Sequence, residues 1–236
     1  MSKAAKPETE SSSKERAPRR PSLGQSALKA LREAIVSGRL RPRERLVEEK
    51  LSADLGMSRV PIREAIKQLV MEGLAEPVDG GRGAQVAALS SEDAQDLIEV
   101  RAVLEGLTAR LAARRRDARK VTRIQELLAA GDALVADGSP AALATLNASF
   151  HELLAATGAN QALQELMRPL RERTEMVFRR NSVERAGMDW REHAMILTAV
   201  AEGDEELAAL LAARHVRRAA RAWMSAEAQT GILAPT

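Results

Sequence analysis

The chain has 236 residues, of which 45% are hydrophobic and 29% charged, with a formal net charge of +3 and no cysteine. That length is comfortable for two domains, and the apolar fraction is enough to bury a core in each. Lack of cysteine excludes a disulfide framework, thiolate catalysis and cysteine-based zinc sites. Aromatic residues make up only 2%, with no tyrosine, while Ala, Leu, Arg and Glu abound. This balance disfavours a β-rich fold and favours helices. No run approaches 18 apolar residues, so no membrane span is expected. The opening MSKAAKPETESSSKERAPRRPS lacks the apolar stretch of a secretory signal, and the expectation is a cytoplasmic protein. Residues 1–90 hold 17 Lys and Arg against 12 Asp and Glu, and the remainder 19 against 21. A basic front suits a nucleic-acid-binding module, although a basic tail would explain part of it.

Residues 1–21 are polar and are expected to form a disordered tail. Ser22 can cap a first helix, Leu23 to Ser37, whose Leu28, Leu31, Ile35 and Val36 follow helical spacing. Arg39 to Arg45 is a connector. A second helix runs from Val47 to Leu55 and stops at Gly56; a third runs from Ser58 to Gly73. PVDGGRGAQV, Pro77 to Val86, has two short extended arms around a glycine-rich tip, which is a hairpin signal. Ser90 with Asp93 resembles a capping box opening a long helix. Everything beyond is helical in pattern, about six helices from residue 91 onward, with no solenoid-like repeat. Breaks are expected at Gly131-Asp132, Gly138-Ser139-Pro140, Gly158, Asn181, Gly187 and Gly203-Asp204. The predicted fold is mainly α: a winged helix-turn-helix over residues 22–88, an all-α bundle over 89–230, and a short tail over 231–236.

The third helix carries chemistry. Ile62, Ile66, Leu69 and Val70 form an apolar face, while Arg59, Arg63 and Lys67 fall at i, i+4 and i+8 on the outside. Ser58 is a good N-cap, and Pro61 sits in the first turn, where its missing N–H costs little. An arginine fork at such a helix start can read guanine O6 and N7 in a major groove. The tip Gly80-Gly81-Arg82-Gly83 presents one arginine on a thin loop suited to a minor groove or the backbone. A basic stripe alone would more often be a solvated face. Here it opens a helix after a three-residue turn, follows two shorter helices and precedes a glycine-rich hairpin, which is the order of a winged helix-turn-helix.

On these residues the chain is recognisable. GRLRPRERLVEEKLSADLGMSRVPIREAIKQLVMEGLAEPVDGGRGAQVA resembles the winged helix-turn-helix of GntR-type bacterial transcription regulators. SSEDAQDLIEVRAVLEGLTARLAA resembles the start of the FCD effector domain, which marks the FadR branch. The resemblance covers about residues 22–228 and implies a homodimer binding a palindromic double-stranded operator. It implies a repressor of metabolic genes, released by a small organic acid. DNA contacts are implied at Ser58, Arg59, Val60, Pro61 and Arg63 and around Gly80, Gly81 and Arg82, with Lys67 continuing the stripe. Three departures stand out: Arg43 where the family usually has Gly after Pro42, one extra residue in the wing, and Glu49 where some members carry a DNA-contacting Arg.

All three histidines lie in the second part. His151 follows Asn147 by one helical turn in LNASFHELL; His193 is in DWREHAMIL and His215 in AARHVRRAA. Imidazoles from three helices can converge in a bundle and hold a divalent metal, or they can be unrelated hydrogen-bonded or surface histidines. The resemblance favours the metal. FCD domains of the metal-bearing kind place three histidines at positions matching His151, His193 and His215, with an Asp where this chain has Asn147. Imidazole donors favour Zn²⁺ or Ni²⁺ over Mg²⁺. Arg101 either pairs with Glu105 at i+4 on the surface or meets an anionic effector in the bundle. Arg173, on the stripe Leu166, Leu170, Val177, and Asn181, four residues further, are further effector candidates; a solvated Arg173 is the plainer alternative. Two other functions would use part of these residues: a metal-dependent helical hydrolase using the histidines, and a non-specific architectural DNA binder.

Overall fold

The computed structural model describes residues 22–78, 80–137, 140–178 and 183–230. Its first unit holds α1 (Leu23–Val36), α2 (Glu48–Leu55), α3 (Arg59–Met71) and the antiparallel strands β1 (Ala75–Pro77) and β2 (Ala84–Val86). Ser22 caps α1 in a reciprocal capping box with Gln25. Gly56 ends α2 in the left-handed region (φ 61°) and turns the chain sharply into Ser58, which starts α3. Leu31, Ile35, Ile62, Leu69 and Leu74 close the core beneath these helices. The strands pair in the register Ala75↔Val86 and Pro77↔Ala84, and Arg45 adds a single bridge to Gln85. The wing thus begins at Ala75, because Leu74 and Ala75 are buried and draw the first arm into the core. Arg43 sits at φ 65°. A β-carbon there costs roughly 1–2 kcal/mol, a physical reason for the glycine that the family usually carries.

The second unit is a bundle of α4 (Ser91–Arg115), α5 (Ala118–Asp137), α6 (Pro140–Gly158), α7 (Gln161–Phe178), α8 (Val183–Glu202) and α9 (Glu205–Thr230). Ser90 accepts from the Asp93 amide and caps α4. The buried face of α4 is built from small residues: Ala102, Gly106, Ala109, Ala112 and Ala113. They let α9 approach so closely that a β-carbon on Gly106 would stand 3.1 Å from the Ala209 carbonyl oxygen. Alanine-lined crossings of this kind explain how a chain with few aromatics still fills its core. The rare large side chains, Phe150 and Trp190, sit where α5, α6 and α8 meet. Among the described residues no helix is long and apolar enough to cross a membrane.

Two expected breaks are absent. Gly131 lies inside α5 and Gly187 inside α8. Gly131 is a docking notch: a β-carbon there would fall 1.9 Å from Trp190 Cζ2. The neighbouring Asp132 accepts the indole N–H at 3.0 Å. The Gly-Asp pair that reads as a turn is therefore a seat for a tryptophan. Gly158 and Gly203 do end helices, Gly203 at φ 84°. The expected breaks at Gly138-Ser139 and Asn181 lie outside the described residues. Gly131→Val must displace the buried indole and should lower stability by about 1–3 kcal/mol, as core overpacking does. A lowered urea midpoint checks this; an unchanged midpoint would show that α5 and α8 do not meet there.

Candidate functional site

α3 presents its first turns outward. Ser58, Arg59, Val60, Arg63 and Lys67 are exposed and Pro61 half-buried, while Ile62, Ala65, Ile66 and Leu69 face the core. Ser58 makes no side-chain capping bond, so its hydroxyl is not committed to the helix. The arginines are held by the first turn of α2. Arg63 grips Glu48 with a two-point fork, both bonds 2.8 Å, and Arg59 pairs with Glu49. The Arg63 bond keeps the Glu48 carboxyl below its ordinary range. Lys67 pairs with Glu64 at 3.0 Å. Exposed pairs of this sort contribute roughly 0–1 kcal/mol, so a phosphate or a guanine edge can replace the carboxylate. Gly80 and Gly83 take positive φ (63° and 104°) and set the wing tip, with Arg82 exposed between them. The Arg45 guanidinium lies over Gly81, 3.2 Å from the position of a β-carbon. The acidic partners Glu48 and Glu49 and the tip contact of Arg45 were not read from sequence; pairing across the α2–α3 turn has no periodicity to reveal it.

In the bundle, α6, α8 and α9 bring their histidines together. His193 Nε2 and His215 Nε2 stand 3.1 Å apart. The His193 ring stacks on Phe150 (centroids 3.8 Å, interplanar 6°), and His151 meets it edge-on with centroids 5.6 Å apart. Glu192 accepts from His215 Nδ1 at 2.7 Å and is itself held by Arg218 at 2.7 Å. A carboxylate on the far ring nitrogen fixes the imidazole and aims Nε2 inward, as in metal sites. Asp189, Glu192 and His215 place one donor atom each within 4.8 Å of one another. With Glu192 already paired to a guanidinium, this acidic group supports the ring from outside. His151 Nδ1 is buried without a hydrogen-bond partner, 3.7 Å from Glu105 Oε1. Asn147, one turn before His151, is exposed. Burial, followed by the Arg171 and Arg101 charges, pushes His151 well below the ordinary imidazole value. Burial and the neighbouring imidazoles do the same for His193. Both are therefore neutral donors near pH 7.

Beside the histidines lies a buried charge cluster. Arg101 and Glu105 are inside the bundle, 4% and 3% exposed, and do not form the surface bridge their spacing suggested. Arg101 donates to Thr174 Oγ1 at 2.6 Å and stands 3.6 Å from Glu105. Arg171 holds both Glu105 oxygens, each at 2.9 Å. Burial pushes the Glu105 carboxyl up, but the charge and bond of Arg171 and the charge of Arg101 outweigh it and hold it below the usual range. At Glu175 burial outweighs the Arg101 and Arg171 charges, and its carboxyl is raised. Arg173 is not part of this cluster. Its guanidinium packs against Gly73 at the end of α3, 3.1 Å from where a β-carbon would be. The buried face of α7 runs through Leu163, Met167 and Thr174, not through Leu166, which is exposed. That one-residue shift in register turns Arg171, which sequence reading missed, toward the site. Asn181 lies outside the described residues.

Comparison with known proteins joins the two sites. Residues 23–86 match "Bacterial regulatory proteins, gntR family", and residues 96–218 match the FCD domain. The chain belongs to the GntR family. It is a transcriptional regulator with a C-terminal FCD domain. The regulator is 32% identical over 196 residues to the HTH-type transcriptional regulator LutR of Bacillus subtilis, covering 72% of this chain and 87% of that one. It is 27% identical over 183 residues to the "Probable D-xylose utilization operon transcriptional repressor" of Paenarthrobacter nicotinovorans, covering 77% and 80%. The solved structure of E. coli McbR/YncC has the same fold, with a TM-score of 0.75 at 20% identity over 88% of this chain and 99% of that one.

Buried neutral histidines have a pH signature. The unfolded chain takes up protons below about pH 6.5, while His151 and His193 in the folded regulator stay neutral. The metal-free protein should lose stability as pH falls from about 7 to about 5. Thermal melts across that window should show a shallower slope for His193→Gln; equal slopes would assign the loss to other groups.

Proposed function

We propose that the regulator is a repressor that binds a palindromic operator as a homodimer and releases it when a small carboxylate enters the histidine–arginine site. The observation that carries this reading is the pairing, in one chain, of an arginine-bearing recognition helix with a buried site rich in cationic and metal-ligating groups. Repression follows the xylose-operon relative, whose name states that role. His151, His193 and His215 are suited to hold a divalent metal. Two imidazole nitrogens bonded to one zinc at roughly 2.0–2.1 Å stand at about the separation seen between His193 and His215. The unpartnered Nδ1 of His151 offers a third donor. A bound Zn²⁺ or Ni²⁺ would supply Lewis-acid charge for a carboxylate effector. Asn147, exposed one turn away, is the weakest member of that donor set. Arg101 and Arg171 supply the charge that orients the anion, with Thr174 fixing the Arg101 fork.

The dimer reading has its own support. Val100, Val103 and Leu107 are exposed along one stripe of α4, and Leu207 and Leu210 are exposed on the adjacent α9. Arg110–Glu206 and Arg114–Glu205 pairs, each 2.6 Å, join the two helices. An apolar patch rimmed by both charge signs suits a self-complementary two-fold contact.

Selection from a random duplex library tests the reading. The enriched sites should be inverted repeats bound by two chains. Arg63→Ala should cost about 1–3 kcal/mol and relax one base pair in each half-site. Lys67→Ala should weaken all sequences alike and flatten the salt dependence. Recovery of no consensus would leave a non-specific binder instead.

A further inference from the structure

We infer that α7 is the element that carries the state of the effector site to the recognition helix, with Arg171 as its sensing group and Glu72 as its receiver. The inference rests on the reading of α4–α9 as the sensor and names the route by which that sensor acts.

Two stripes on α7, offset by one residue, face two different partners. Met167, Arg171 and Thr174 follow i, i+4, i+7 spacing. Arg171 holds Glu105, and Thr174 accepts from Arg101, so this stripe belongs to the buried site. Arg168, Glu172 and Met176 follow i, i+4, i+8 and meet the DNA-binding unit. Arg168 pairs with Glu72 at 3.1 Å, Glu172 pairs with Arg32 of α1 at 2.9 Å, and Met176 packs against the core beneath α3. Arg173 closes over Gly73 between them.

Glu72 is the C-cap of α3. Its side chain is only 7% exposed, and three groups from three helices converge on it. Arg32 of α1 and Arg168 of α7 pair with it, and Gln68 of α3 donates at 3.0 Å. Burial pushes this carboxyl up, but those bonds and charges outweigh it and keep it below its ordinary range. A charge held this way cannot drift: a shift of α7 that breaks the Arg168 contact leaves Glu72 to be re-satisfied, and α3 moves with it. Only one turn separates Arg168 from Arg171. An anion or cation that draws Glu105 or Arg171 out of their mutual grip therefore displaces the same helical turn that grips α3. The coupling needs no motion through the short 87–90 link.

Amide hydrogen exchange on the full chain tests the relay without DNA or effector, so its failure is distinct from failure of the operator selection. Arg171→Ala should raise exchange at Leu69–Leu74 and in α1 by about fivefold or more, the lower end of typical allosteric coupling. Arg171→Lys, which keeps the charge and loses the fork, should give a smaller change in the same amides. Lys120→Ala, which breaks a pair with Asp117 at the start of α5, should leave them unchanged. In an Arg168→Ala/Glu72→Gln background, adding Arg171→Lys should change nothing further in residues 22–86. If the Arg171 changes stay within residues 91–230, or persist undiminished in the uncoupled background, α7 is not the relay. Should Arg171→Ala unfold the chain, Arg171→Lys and Arg168→Ala decide: coupling is reciprocal, so Arg168→Ala must raise exchange at Arg101–Glu105 of α4, and unaltered exchange there overturns the inference.

Discussion

A fully buried carboxylate between two guanidiniums governs the second half of this protein. Glu105 is ionised inside the bundle because Arg171 binds both its oxygens and Arg101 stands beside it. Taking such charges out of water offsets most of their attraction, which makes the cluster a poor choice for stability alone, while removing one partner typically costs about 3–5 kcal/mol. It fixes α4 against α7, and it places two arginine heads next to three imidazoles. A site of that composition is closed around its own charges.

The same physics works in reverse at the surface. On α3 the arginines are also matched by acids, Glu48 and Glu49, but in full contact with water. Such pairs cost little to exchange. They keep the recognition helix electrically quiet and its forks extended until a phosphate or base edge takes the place of the carboxylate. Glu49, which stands where some members of the family carry an Arg, is here a partner for Arg59. One chain uses acid–base pairs in two ways: buried and rigid inside the bundle, exposed and exchangeable on α3.

Much of this was legible in the sequence. The order of helices, the glycine-rich hairpin and the Arg59–Arg63–Lys67 stripe follow from capping and periodicity, which are local. The convergence of His151, His193 and His215 came from resemblance, since no spacing links three helices. What escaped was tertiary. Gly131 reads as a turn unless Trp190 is known to fill its missing side chain. Arg173 looks inward on an apolar stripe through Leu166; the structure exposes Leu166, shifts the buried face by about 100° on the helix and turns Arg171 toward Glu105 instead. Arg101 and Glu105 at i+4 give no hint of burial, because burial depends on what α7 and α9 bring.

Zinc-edge X-ray absorption on the full chain, loaded with one equivalent of Zn²⁺, asks most directly whether the three imidazoles share one ion. The proposed site predicts three nitrogen scatterers at about 2.0–2.1 Å with imidazole outer-shell features, reduced to two by His193→Ala. A shell of oxygen donors alone, or no zinc retained after desalting, would contradict a metal-holding histidine site and leave the bundle as a pocket of arginines and histidines.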